Sequence, residues 1–254
     1  GSASMLRGST AASYVQLLAR PTPNRKRYAV GTAQNLKSPN QRITTMTTEV
    51  DNKTVRAIGD RKSNAALIAD CHRLGYLKAD DLVADVTYGL GRFWSDWAPD
   101  ALLASDLDPL KSPCGLSVDF TDLPFETDEL DAVVFDPPYK FSGTSQVASD
   151  AGYGIGAYLS PDDRMELIFA GVAEAARVAR PGGKVFVKCM DQVVSGKVVW
   201  QTLEIAEFAG FQSLDLIDML HVSSYRPQPA GRRQLHARRD YSTLMVFEKM
   251  AGPK

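Results

Sequence analysis

Leu82-Val83-Ala84-Asp85-Val86-Thr87-Tyr88-Gly89-Leu90-Gly91 decides the fold. A short apolar run ending in a carboxylate and then two glycines reads as a buried strand that breaks into a turn. The pattern returns downstream. Ala101–Ser105 is followed by Asp106, a short run around Leu116-Ser117-Val118 by Asp119, and Asp131–Phe135 by Asp136. Helical periodicity flanks these runs. Ser63 can cap a helix whose apolar positions Ala66, Leu67, Cys71 and Leu74 share a face and which Gly75 can stop. A second helix starts at Ser160-Pro161-Asp162-Asp163 and runs to Arg180, with Met165, Ile168, Phe169, Val172 and Ala176 on one face. Pro181-Gly182-Gly183 turns the chain into a strand over Lys184–Met190, a helix follows over about 198–209, and strands close the chain at about 214–222 and 241–249. Strands alternating with helices predict the α/β class, an open and mostly parallel sheet covered on both faces. Such a sheet binds its ligand at the carboxyl ends of its strands, so one crevice can hold Asp85, Asp106, Asp119 and Asp136. Asp also simply favours strand-to-turn junctions.

The composition agrees with one globular α/β domain plus an extension: 254 residues, 44% apolar and 23% charged. No stretch approaches the roughly 18 uninterrupted apolar residues of a membrane-spanning helix, which predicts a soluble, cytoplasmic protein with no membrane partner. Cys71, Cys114 and Cys189 are odd in number and lack C-x-x-C spacing, against both a disulfide framework and a structural zinc site. His72, His221 and His236 do not lie at ligand spacing from a Cys or Asp, so no metal is expected. Gly1-Ser2-Ala3-Ser4 ahead of Met5 reads as an expression scar. Residues 5 to about 60 show no sustained period, which predicts a basic, largely irregular arm over 1–61 and a catalytic domain over 62–254. The formal charge of −1 is segregated: residues 1–62 carry +8, residues 63–219 carry −14 and residues 220–254 carry +5. Basic ends around an acidic body suit a polyanionic partner, although solvated basic tails would look the same.

Two motifs carry chemistry. In Asp85-Val86-Thr87-Tyr88-Gly89-Leu90-Gly91 the glycines let backbone approach a ligand, but the third glycine of the dinucleotide fingerprint is missing, against NAD. Asp106, about 20 residues on, suits the two hydroxyls of a ribose, so the pairing points to an adenosine-containing cofactor. Asp136-Pro137-Pro138-Tyr139 is the sharper signal. Its prolines fix φ and lack N–H groups, leaving nearby carbonyls to accept hydrogen bonds from a ligand, and Tyr139 offers a face for a planar base. An acceptor cluster beside a ring suits an exocyclic amine on a nucleobase.

With these motifs in this order, residues 62–249 resemble the S-adenosylmethionine-dependent amino-methyltransferases, whose hallmark is (D/N/S)-P-P-(Y/F/W). The resemblance implies a Rossmann-like class I methyltransferase fold: a seven-stranded, mostly parallel sheet with helices on both faces and a C-terminal antiparallel strand. It implies that S-adenosylmethionine is held by Asp85, Gly89 and Gly91 at its methionine part, by Asp106 at the ribose, and by Leu107, Asp119 and Phe120 around the adenine, with Thr87 also among the cofactor-binding residues. Lys62 and Ser63 correspond to the cofactor-side motif before the first strand. Asp136, Pro137, Pro138 and Tyr139 form the catalytic turn, with Asp136 and Pro137 on the target amine and Tyr139 stacked on the base.

Asp at the first motif position is typical of adenine-N6 enzymes in that family, so DNA adenine methylation is the leading expectation, with DNA placed ahead of RNA as the nucleic-acid partner. Only about 45 residues separate the two motifs, too few for a separate target-recognition domain. Sequence readout would then fall to the basic arm, to a specificity partner or second copy of the chain, or to the loop Arg226–Arg239, whose Arg226, Arg232, Arg233, Arg238 and Arg239 suit phosphates. A duplex target would have to be flipped, and residues 141–159, with Tyr153 and Tyr158, read as a loop able to close over it. Two alternatives stand. Asp119-Phe120-Thr121-Asp122-Leu123-Pro124-Phe125 also resembles tRNA guanine-N2 methyltransferases, which keeps a tRNA or rRNA methyltransferase in view, and a catalytically silent nucleic-acid-binding subunit would keep the same fold.

Overall fold

The computed structural model of the chain describes residues 54–141, 159–223 and 234–252. Its centre is a six-stranded sheet built from β1 (Leu82–Asp85), β2 (Ala101–Ala104), β3 (Leu130–Phe135), β4 (Ala179–Cys189), β7 (Leu214–Ser223) and β8 (Tyr241–Lys249), in the order β2-β1-β3-β4-β8-β7. The first four run parallel, and β8 lies antiparallel to both β4 and β7. The seventh strand expected around 116–118 is reduced to a single parallel bridge between Ser117 and Asp106 on the outer side of β2. Gly115 at φ 70 breaks the chain just before it, and Ser117 spends its hydroxyl on the Leu107 carbonyl at 2.7 Å, so pairing does not propagate.

Strand positions alternate between two cores, which is why the runs are apolar throughout. Ala84, Val133, Val185 and Met245 face α2 (Pro161–Val178) and α3 (Gln201–Phe211), where Ile168, Val172 and Ile205 are fully buried. Val83, Val134, Phe186 and Leu244 face α1 (Asn64–Arg73) through Leu67, Ile68 and Cys71, together with Phe93 and Trp94 of a short 3-10 turn. Ser63 caps α1 through the Ala66 N–H as expected, but the inward face is Ala65, Leu67, Ile68 and Cys71; Leu74 ends the helix and is exposed. On α2, Ser160 and Asp163 form a reciprocal capping box, and Pro161 occupies the first turn, where its missing N–H costs nothing. The helix stops at Val178, two residues before the expected end, because Ala179 is already paired with Leu130 in the sheet.

A two-stranded hairpin, β5 (Gln192–Val194) with β6 (Lys197–Val199), stands where a helix was expected to begin; α3 starts at Gln201. Ser195 and Gly196 make its turn with φ of 50° and 78°, and that Ser-Gly pair between valines was the signal available in the sequence. Residues 54–61, assigned to the arm, lie along β7: Ile58 bridges His221, and the buried Arg61 pairs with Asp70 of α1 and donates to the His221 carbonyl at 3.2 Å. No helix among the described residues is long and apolar enough to cross a membrane. The earlier part of the arm, residues 1–53, lies outside the described residues.

Candidate active site

The glycine turn and the D-P-P-Y turn leave adjacent strands, β1 and β3, at their carboxyl ends. Asp85 closes β1 and is 1% exposed. Its Oδ1 accepts the Thr87 N–H at 3.0 Å and its Oδ2 accepts the Trp94 indole N–H at 2.7 Å. Burial pushes its pKa up to about 7, and Asp136 and Asp106 add to the rise, which places three carboxylates in one field. Asp106 sits just past β2. Its Oδ2 accepts the Gly89 N–H at 2.8 Å and its Oδ1 accepts the Asp108 N–H at 2.9 Å, one backbone donor per oxygen. Each oxygen keeps a further lone pair, which is what a ribose diol would use. At φ 67 a side chain on Gly91 would be strained, and its Cβ would come within 2.5 Å of the Tyr88 hydroxyl, so the Tyr88 ring would have to move.

The D-P-P-Y turn is bonded inward. Asp136 donates its N–H to Thr87 Oγ1 at 2.7 Å, which joins the two motifs. The expectation that the carbonyls of this turn stand free for a ligand is corrected by three long side chains. Buried Arg164 of α2 donates to the Pro138 carbonyl at 2.6 Å, and Gln192 and Gln201 donate to the Tyr139 carbonyl at 2.7 and 2.8 Å. The Pro137 carbonyl accepts the Tyr139 N–H at 2.8 Å and keeps one lone pair. Asp136 Oδ1 is different: it is buried and has no hydrogen-bond partner. Burial raises the pKa of Asp136, while Lys188 and Lys140 pull it back toward the ionised form. Lys188, near the end of β4, is 1% exposed, donates to Asn64 Oδ1 at 2.7 Å and stands 5.9 Å from the centre of the Tyr139 ring. Arg164, Lys188, Gln192 and Gln201 were all missed, because in sequence each sits in an ordinary helix or strand pattern; only a lysine within the apolar run Val185–Met190 hinted at a buried role.

The remaining expected site residues divide. Leu107 is partly exposed beside Asp106, open to a flat ligand. Val118 donates its N–H to the Asp106 carbonyl at 3.0 Å, which brings the segment carrying Asp119 to the same sheet end. There Asp119 Oδ1 is taken by the N–H and hydroxyl of Thr121, both at 2.8 Å. Phe120 turns into the core, with its ring 4.9 Å from Phe135, and Leu123 and Phe125 of the same segment are buried too. Arg238 pairs with Asp240, and Arg239 stacks over Trp200 at 4.7 Å beside the hairpin. Arg226, Arg232, Arg233, Tyr153 and Tyr158 lie outside the described residues. The histidines are engaged in packing: His72 stacks on Trp97, His221 meets Thr243, and His236 meets the Gly196 carbonyl.

No protein-family profile matches the chain, and no curated protein matches it. Solved structures do. A provisionally assigned methyltransferase of Bacillus halodurans C-125 superposes with a TM-score of 0.50 and 14% identity over 73% of this chain and 100% of that one. The N-methyltransferase NodS of Bradyrhizobium japonicum WM9 gives 0.45 and 11% over 73% and 96%. A provisionally assigned DNA modification methylase of Thermus thermophilus gives 0.35 and 14%, and the match takes in 59% of this chain and about half, 53%, of that protein. The Bacillus halodurans likeness carries the fold: this chain shares the Rossmann-like architecture of that structure.

Proposed function

We propose that the chain is an S-adenosylmethionine-dependent methyltransferase acting on an exocyclic amine of a nucleobase, adenine N6 in DNA before any other. The observation that carries this reading is Asp136 Oδ1, a buried acceptor without a donor, three residues before Tyr139 in the same turn and joined through Thr87 to a glycine turn. An unpaired buried acceptor is costly, and a protein keeps one where a ligand supplies the donor. The cofactor fits the residues present: Gly89 leaves the backbone open at the end of β1, and Asp106 keeps lone pairs for a ribose. Bound there, S-adenosylmethionine supplies an electrophilic methyl group on a sulfonium sulfur.

The chain's own part is alignment and charge. Asp136 Oδ1 and the remaining lone pair of the Pro137 carbonyl accept the two amine hydrogens and so turn the nitrogen lone pair out of conjugation with the ring. Positive charge then develops on nitrogen opposite a buried carboxylate, where the low dielectric makes the attraction strong. The raised pKa of Asp136 suits it to take the proton that the methylated amine must lose. Nucleic acid would be gripped by the arginines at 226–239, and a specificity partner or second copy would extend readout.

The test is incubation with isotopically labelled S-adenosylmethionine and, separately, genomic DNA, single-stranded DNA and total RNA, followed by nucleoside mass spectrometry. Label in N6-methyladenine from DNA is expected. Label solely in RNA would move the protein to the RNA enzymes, and no label in any of the three would refute base methylation by this chain alone.

A further inference from the structure

Lys188 is a second incomplete group in the same site. It lies one residue before the end of β4, parallel to β3, and its side chain reaches toward the D-P-P-Y turn. The ammonium has three N–H groups, and its one hydrogen bond among the described residues goes to Asn64 Oδ1 at the start of α1. The Phe93 and Tyr139 ring centres lie 5.7 and 5.9 Å away, a range in which a cation is held but its N–H groups are not saturated. Asp136 is coupled electrostatically to Lys188, yet Asp136 Oδ1 takes no hydrogen bond from it. A buried carboxylate oxygen without a donor and a buried ammonium with donors to spare, the latter over the Tyr139 ring, thus lie in each other's field without satisfying each other. Such a pair leaves hydrogen-bonding capacity for a group that offers an N–H to one side and a lone pair to the other.

Resting on the function proposed above, we propose that Lys188 determines substrate specificity: it donates to the ring nitrogen adjacent to the target amine, while Asp136 accepts the amine N–H. The site then selects an amidine edge, an amino group on a carbon that is doubly bonded to a ring nitrogen, over an amine that lacks a neighbouring acceptor. Adenine presents that edge at N6 and N1, cytosine at N4 and N3. A site with a dedicated donor rejects the analogue lacking the acceptor strongly, because the donor is left buried and unpaired. Lysine suits the task, since its flexible stem lets the ammonium swing from Asn64 to an entering ring. Because both bases carry the edge, Lys188 selects the edge and leaves the choice between them to the shape of the pocket.

The test compares single-turnover methyl transfer to single-stranded oligonucleotides that carry adenine or 1-deazaadenine, which keeps the amine and replaces N1 by C–H. If the label in wild type is in cytosine, the pair is cytosine and 3-deazacytosine. The wild-type protein is expected to lose at least about tenfold in rate on the deaza base. Lys188→Met should be slow on adenine and discriminate less than about twofold, while Lys188→Arg should restore part of the discrimination. Asn64→Ala serves as the control for a purely structural role and should lower both substrates by the same factor. Undiminished discrimination in Lys188→Met, or none in wild type, would overturn the proposal. Absence of transfer to any natural base by wild type would instead fell the reading it rests on, and that is seen before any variant is made.

Discussion

Thr87 Oγ1 accepts the backbone N–H of Asp136 at 2.7 Å, so the turn after β1 and the turn after β3 hold each other in place. Thr87→Val keeps the shape and removes the acceptor, leaving the Asp136 amide unpaired. We expect a loss of about 1–2 kcal/mol in unfolding free energy by denaturant titration and a drop of about tenfold or more in methyl transfer. Thr87→Ser should recover both, and a Val variant with wild-type activity would show that the link is incidental.

Asp136 and Asp106 should separate under mutation. Asp136→Ala is expected to abolish transfer while leaving cofactor affinity within about twofold, because its free oxygen takes no bond from the glycine turn. Asp106→Ala strips the Gly89 and Asp108 N–H groups of their acceptor as well as removing the proposed ribose contact. Calorimetry with S-adenosylmethionine should therefore show at least about tenfold weaker binding. Unchanged affinity would remove Asp106 from the ribose role.

Asp85 makes stability depend on pH. Its folded pKa of about 7 lies above the ordinary carboxylate value of 3.8, so the folded state holds its proton more tightly than the unfolded chain. The group's contribution is therefore full below about pH 4 and is lost as the pH rises through 7. Asp85→Asn removes that titration. Thermal melts between pH 4 and 8 should show a flatter profile for the variant, and parallel profiles would mean that another group sets the slope.

Arg164 tests how far the turn depends on its inward bonds. Arg164→Leu removes the donor to the Pro138 carbonyl from a fully buried position. Transfer should fall mainly in kcat, with the melting temperature lowered by several degrees. A rise in KM alone would mean that Arg164 serves substrate entry.

Reversal of charge at Arg232 and Arg233 should weaken DNA binding about equally for all sequences and reduce the salt slope by up to about two. Loss confined to one sequence would mean that these side chains read bases.

Much of the fold was legible because its signals are local. The apolar runs at Leu82–Asp85 and Leu130–Phe135, the Ser160 capping box and the stiff Asp136-Pro137-Pro138-Tyr139 turn each depend on near neighbours, and the structure realises all of them. The hairpin at 192–199 was overlooked although its Ser-Gly turn was visible, since two three-residue strands leave little periodicity to detect. The third strand was over-read for the converse reason: an apolar triplet supplies the propensity, and only the partner's hydrogen bonds decide whether a ladder forms.

The site divides along the same physical line. By itself the sequence determined which groups reach the carboxyl end of the sheet, because strand direction and turn chemistry place Asp85, Gly89, Gly91, Asp106 and Asp136 there. Only the tertiary structure decided which of those groups remain available. The Pro138 and Tyr139 carbonyls are taken by Arg164, Gln192 and Gln201, from 26 to 62 residues away, and the Phe120 ring is turned into the core. Asp136 Oδ1 is left without a partner, and Lys188 is brought from another strand over the Tyr139 ring and into the field of Asp136. Availability is a property of pairs, and pairs distant in sequence are chosen by packing.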